Sequence, residues 1–336
     1  MTSVPSRIND PDAAELTTVG ERLTAGERLI VQFSEALYTS AQLDVIDALC
    51  AQHGSALEVR FYGHYRSVFD GGVLLQIPSV VNLSVDCLQE VRNIDAIAQL
   101  SNLRELSLGV FDITDTRLLR FPNLRSLRSL ALGDTRSKNL DLSYLVDYVS
   151  LESLRVSGHT KGIEAISSSP ALASLTLSCI SKSTRLTFIS TMRNLKRLRL
   201  ILGGRPSISE VEAPQLHELE VIRVRGLAEL AGLDRFPGLR SLAVEDQIRI
   251  ERLSFTPANS ELLDLRIFNC KTLRELSGLE HLGQLRQFRV GRTALDPDQL
   301  LAWRMPTTLE VCAVYTGKER ENRRIRKALD ARGYRE

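Results

Sequence analysis

The stretch Leu195 Lys196 Arg197 Leu198 Arg199 Leu200 places apolar side chains at relative positions one, four and six, and that spacing returns along most of the chain. Successive copies lead with Val80, Leu103, Leu127, Leu151, Leu172, Leu195, Leu216, Leu239, Leu262, Leu285 and Leu309, a mean period of about 23 residues. All thirty-three positions so defined are apolar in a chain that is 43% hydrophobic. Even with each spacing allowed to float, chance yields such a pattern at about 10⁻⁶. One supersecondary unit is therefore repeated, and the repeat decides the fold ahead of local propensity. Strand side chains alternate, so residues one, four and six point into a core while three, five and seven point out of the strand on the other side. Eleven parallel strands spaced about 4.8 Å apart would form a sheet roughly 50 Å long.

The pattern, clearest from Gly226 to Val244 and from Leu273 to Val290, resembles a leucine-rich repeat array of the short-repeat kind seen in internalins and in the regulatory repeat subunits of phosphatases. The resemblance covers roughly residues 56 to 316. It implies an α/β leucine-rich repeat solenoid, a curved right-handed coil with the parallel sheet on its concave face. The family usually carries Asn or Cys at relative position nine to hydrogen-bond the turn after each strand. Here that position holds Phe111, Thr135, His159, Ile180, Gly203, Val224, Gln247 and once Cys270. Turns that differ from copy to copy are therefore expected in place of a regular asparagine ladder.

The chain has 336 residues, enough for a large core, and the repeat favours one elongated domain over two compact ones. Residues 1–26, polar and broken by Pro5 and Pro11, read as a flexible leader or a loosely docked one. Residues 27–79 read as an N-terminal strand-helix-strand cap with a degenerate first repeat. Leu29 to Phe33 and a segment carrying Ala56, Val59 and Phe61 supply the strands, and Thr39 with Gln42 makes a capping box for a helix ended by Gly54. Residues 80–316 are the array of about eleven repeats. Residues 317–336 read as a C-terminal cap helix burying Ile325 and Leu329.

Forty-three basic and 41 acidic residues give a net charge of +2, so no global field draws the chain to nucleic acid or membrane. Residues 318–336 carry eight basic and four acidic side chains, but without interleaved aromatics they read as a solvated helix more than an RNA-binding one. No stretch of 18 apolar residues exists to span a bilayer, and the N-terminus lacks the apolar run of a signal peptide. The five cysteines are odd in number and far apart, which suits a reducing compartment and a cytoplasmic monomer.

No catalytic motif is present: the chain lacks GxxxxGK[ST], HExxH, GxSxG and any Cys and His signature, so no enzyme activity, cofactor or metal site is expected. Gly203 and Gly204 before Arg205 read as the bend leaving a coil, and His64 beside Tyr62 and Tyr65 as a surface or structural histidine. What remains is the outward wall. In its first half it is small or weakly polar, with Ser107, Gly109, Ser129, Ala131, Gly133, Ser153, Ser157, Ser174, Thr176 and Ser178. Glu105 and Arg155 are the exceptions. In its second half it presents Arg197, Arg199 and Ile201, then Glu218, Glu220 and Ile222, then Asp264, Arg266 and Phe268, then Arg289 and Tyr315. Outward Ile and Phe contribute little to an isolated fold, and Arg with aromatics suits interface centres, so these eleven form the candidate partner-binding set. The competing reading is that the Arg and Glu columns merely pair across neighbouring strands.

The resemblance implies a non-enzymatic module that binds a protein partner on its concave face, as an inhibitor, an immunity-type protein or a regulatory adaptor. A secreted effector, or the substrate-recognition subunit of an enzyme complex, is the alternative.

Overall fold

The computed structural model describes residues 5–230 and 232–336. The chain divides into two compact units, residues 1–172 and 173–336, where the repeat alone favoured a single elongated domain.

In the first unit β1 (Ser6–Asn9), β2 (Leu29–Phe33), β3 (Leu57–Gly63), β4 (Asn82–Leu88), β5 (Glu105–Val110), β6 (Ser129–Leu132) and β7 (Ser153–Ser157) pair in sequence order, all parallel. In the second, β8 (Ser174–Ser178), β9 (Arg197–Ile201), β10 (Glu218–Ile222), β11 (Ser241–Glu245), β12 (Asp264–Phe268), β13 (Gln287–Gly291) and β14 (Val311–Tyr315) do the same. Neighbouring strands in each sheet lie one repeat apart in sequence. The connections are short 3₁₀ turns such as Ile94–Gln99, Leu142–Asp147, Ile163–Ser168 and Thr187–Thr191. This strand-and-turn coil is the architecture of a leucine-rich repeat solenoid.

The thirty-three repeat-defining side chains are all buried, none more than 7% exposed. Position one closes the return turn: the Leu195 amide donates to the Met192 carbonyl at 3.1 Å. The next two amides, of Lys196 and Arg197, both donate to the Ala173 carbonyl of the coil before, at 2.8 and 3.0 Å. Tight i→i+3 turns let the chain reverse within a repeat too short for a long helix. Gly278 shows how closely coils approach. Its φ is +74°, and a Cβ there would overlap the Phe255 carbonyl oxygen of the preceding coil.

The turns after the strands are irregular, as the position-nine residues suggested. His159 Nε2 lies 2.9 Å from the Gly133 carbonyl oxygen, and its Nδ1 accepts from the Leu140 amide at 3.3 Å. Gln247 donates to the Val221 and Glu245 carbonyls at 3.2 and 2.8 Å, and the Cys270 thiol to those of Val244 and Phe268 at 3.5 and 3.4 Å. Gln247 and Cys270 thus satisfy equivalent carbonyls of successive coils, at position six of the coil before and position seven of their own, whereas His159 reaches position seven of the coil before.

The expectation of a flexible leader over residues 1–26 is corrected for its described part. β1 pairs with β2, and helix α1 (Ala13–Thr24) buries Leu16, Val19 and Leu23. Asp12 and Glu15 form a reciprocal capping box at its start, a signal that Pro5 and Pro11 outweighed in the sequence. Residues 1–4 lie outside the described residues. Helix α2 (Ser40–His53) starts at the Thr39–Gln42 capping box and is capped by Gly54. A short helix, α3 (Pro297–Ala302), replaces the return turn between β13 and β14. At the chain's end helix α4 (Glu319–Asp330) buries Ile325 and Leu329, and Arg335 returns to hydrogen-bond beside β14.

Candidate functional site

Register sorts the eleven predicted residues onto three lanes of the second unit's sheet. Position three runs Ser174, Arg197, Glu218, Ser241, Asp264, Gln287 and Val311. Position five runs Thr176, Arg199, Glu220, Ala243, Arg266, Arg289 and Ala313. Position seven runs Ser178, Ile201, Ile222, Glu245, Phe268, Gly291 and Tyr315. Strand alternation puts all three lanes on the face opposite the buried Leu198, Leu219, Leu242, Leu265 and Phe288.

Charges on this face pair partly. Arg199 Nε donates to Glu220 Oε2 at 2.6 Å. Arg266 Nη2 lies 4.0 Å from the other oxygen of Glu220, and its Nε lies 3.0 Å from Glu245 Oε1 without the alignment of a hydrogen bond. Arg289 donates to Gln287 Oε1 at 2.6 Å and stands 3.9 Å from Asp264 Oδ1, which no donor among the described residues reaches. Desolvation raises the Asp264 pKa, against the pull of Arg289 and Arg266. Arg197 reaches only Ser174 Oγ, at 3.5 Å, and Glu218 makes no ion pair among the described residues although the two are register neighbours. Cross-strand pairing therefore accounts for the position-five lane and leaves the outer lanes incompletely matched. Each partly exposed pair contributes about 1 kcal/mol or less.

The position-seven lane carries the apolar side chains in two groups. Ile201 and Ile222 are adjacent, and the 39%-exposed Leu202 extends them toward the end of the strand. Glu245 then intervenes. Beyond it the Phe268 ring lies over Gly291, where a Cβ would fall 2.7 Å from Phe268 Cε1. Tyr315 stands on the far side of that glycine, its ring centroid 6.3 Å from that of Phe268 and its hydroxyl donating to Glu336 Oε1 at 3.0 Å. Gly291 thus makes room for an aromatic pair that β-strand spacing alone does not reveal.

Two features of this face escaped the sequence reading. Glu245 occupies position seven of the copy led by Leu239, whose other outward residues, Ser241 and Ala243, are small. Its position was legible, but its role as counter-charge to Arg266 was not. The residues one past the strands, Leu202, Arg223, Asp246, Asn269 and Arg292, are all left-handed, with φ between +50° and +59°. Each donates its amide to the last strand residue of the next coil, at 2.7 to 2.9 Å. Those bonds hold non-glycine residues in a conformation that costs roughly 1–2 kcal/mol each. Nothing in their residue types announces it.

The other candidates are structural. His64 is buried, its Nδ1 2.9 Å from the Tyr62 carbonyl oxygen and its ring edge-on to Phe69. Gly203 and Gly204 turn the chain out of β9, with Gly204 bridging to Arg225. Burial pushes the thiols of Cys50 and Cys312 up to about 12 and that of Cys270 up to about 11, so all three stay protonated at neutral pH. Among the described residues no cluster of His, Cys, Asp and Glu is placed to hold a metal ion, and no helix is long and apolar enough to cross a membrane.

No protein-family profile and no curated protein matches the chain. Among solved structures, 106 chains match. One is a plant peptide hormone receptor, RGFR1, in complex with RGF2, at 13% identity over 77% of this chain and 48% of that one, with a TM-score of 0.45. Another is the functional domain of InlJ from Listeria monocytogenes, at 15% identity over 80% of this chain and 64% of that one, with a TM-score of 0.36. A third is a leucine-rich repeat protein of Leptospira interrogans, at 12% identity over 93% of each chain, again with a TM-score of 0.36. The chain spans about half the length of the plant receptor and just under two thirds of the Listeria domain. These are likenesses of fold; the leucine-rich repeat assignment itself rests on the chain's own repeat, register and buried comb.

Proposed function

We propose that the chain is a non-enzymatic interaction module that binds a protein partner on the open sheet face of its second unit, between Arg197 and Tyr315. One observation carries the reading. Ile201, Ile222, Phe268 and Tyr315 share a lane that the fold does not need to cover, beside charges only partly neutralised by one another. A surface with apolar anchors, arginines and unmatched carboxylates suits a protein partner of mixed charge, since desolvated aromatic and Arg anchors dominate such interfaces. The five free cysteines and the buried state of three of them support a reducing, cytoplasmic setting. Within that setting the module acts as a monomer that restrains or recruits its partner, as an inhibitor, an immunity-type protein or an adaptor.

The test is affinity capture from the source cell with the wild-type chain and with a variant carrying Ile201→Ser, Ile222→Ser and Phe268→Ser. The partner retained by wild type is lost by the variant, while the thermal midpoint falls by no more than a few degrees. A partner still captured by a well-folded variant refutes the assignment of this face. A collapse of the midpoint refutes the premise that these side chains are dispensable to the fold.

A further inference from the structure

The first unit has its own open sheet face, and its chemistry differs. Register aligns Glu58, Asn82, Glu105, Ser129 and Ser153 in one lane across β3 to β7. The serines leave a cavity of about 290 Å³, lined by Glu58, Asn82 and Glu105 at one end and Arg155 at the other.

Three acceptors stand side by side there with one side-chain donor among them. Asn82 is only 4% exposed, and its Nδ2 donates to the Ser55 carbonyl at 3.0 Å, which fixes the amide's orientation. Its Oδ1 is buried and has no partner among the described residues. A buried acceptor without a donor loses its solvation and gains nothing in return, so it calls for one. On one side Glu58 takes a single hydrogen bond, from Ser84 Oγ at 2.6 Å. On the other, the carboxylate of Glu105, an exposed residue, makes no hydrogen bond or ion pair among the described residues. Desolvation raises its pKa; Arg28 opposes that without forming an ion pair, and Glu58 and Glu152 add to it. Arg28 and Arg155 stand near without pairing with these carboxylates, so what the lane lacks is an N–H donor placed against its acceptors.

From this row of acceptors we propose that the first unit's open face is a receptor for an arginine side chain presented by a protein partner. Neighbouring strands are about 4.8 Å apart, so the carboxylates of Glu58 and Glu105 flank the Asn82 oxygen within roughly 10 Å. A planar guanidinium offers five donors in a fixed fork and spans such a row, whereas an ammonium concentrates three donors at a point. The small Ser129 and Ser153 leave the path by which the side chain enters. All these residues lie in the first unit, so the inference stands apart from the face proposed for the second.

The test uses the full chain, isotopically labelled for NMR, titrated with acetyl-Gly-Arg-Gly-amide and with the same peptide carrying citrulline. The arginine peptide shifts the Asn82 side-chain amide and the backbone amides of Glu105 and Ser129, and the isosteric but uncharged citrulline peptide does not. Glu105→Gln weakens the arginine peptide at least tenfold, and because it deletes an unpaired carboxylate its thermal midpoint is equal to or above that of wild type. A second variant supplies the cation in place: Ser129→Arg, one strand along from Glu105, raises the midpoint in the wild-type background and loses that gain when Glu105→Gln is added. Equal shifts from both peptides, undiminished binding by Glu105→Gln, or a Ser129→Arg gain that ignores residue 105 would each overturn the proposal.

Discussion

His159 should make the fold sensitive to mild acid. Its side chain is fully buried in the first unit, and both ring nitrogens are engaged, Nδ1 accepting from the Leu140 amide and Nε2 facing the Gly133 carbonyl. The Leu140 N–H points at Nδ1, so the neutral ring carrying its proton on Nε2 satisfies both contacts, and protonation would set two N–H groups against each other. Desolvation, the largest influence, holds the His159 pKa below its usual value, against the Gly133 and Lys138 carbonyls and Asp134. Well above pH of about 6.5 neither folded nor unfolded histidine is charged and stability is level. As pH falls below that, the unfolded chain takes up a proton that the folded chain refuses, so stability declines until the folded pKa is reached. The slope cannot exceed about 1.4 kcal/mol per pH unit, the limit for one proton. His217, also depressed, by burial and then by Lys196 and Arg240, acts in the same direction and must be subtracted. The assay is urea denaturation between about pH 5 and 8 of wild type and of His159→Asn, which keeps a donor and an acceptor but does not titrate. The wild-type loss should exceed the variant's on the acid side, and the His159 ring proton should titrate below the usual histidine value by NMR. Parallel pH profiles for the two proteins would refute the reasoning.

Three further outcomes follow from the geometry. Gly278→Ala should destabilise by about 2–4 kcal/mol, read from a denaturant midpoint, because a left-handed alanine there also strikes the Phe255 carbonyl. On the single strand β9, Leu198→Ala should cost about 3 kcal/mol, whereas Ile201→Ser, on the other face, should cost under about 1 kcal/mol; equal costs would mean the strand's two faces have been assigned wrongly. Asp12→Ala should cost about 1 kcal/mol and speed amide exchange through α1, since it removes the capping box of a helix that packs its Leu16, Val19 and Leu23 inward.

The sequence by itself determined the coil. An apolar comb at positions one, four and six is a one-dimensional signal, and every residue it named is buried because each repeat can hide its comb only against its neighbours. The sequence also determined which residues face outward, since alternation along a strand is a local rule, and it identified the Thr39–Gln42 cap and the buried Ile325 and Leu329 of the last helix. Tertiary structure decided how outward residues meet. Arg199 finds Glu220 while Arg197 passes Glu218 by, and Phe268 reaches Tyr315 across Gly291. These outcomes depend on side-chain reach between residues a repeat apart, which no window of sequence contains. The ordered N-terminal segment, the left-handed row from Leu202 to Arg292 and the orphaned oxygen of Asn82 belong to the same class. Each is set by hydrogen bonds, made or missing, to neighbouring coils, and so became visible only when the coils were stacked.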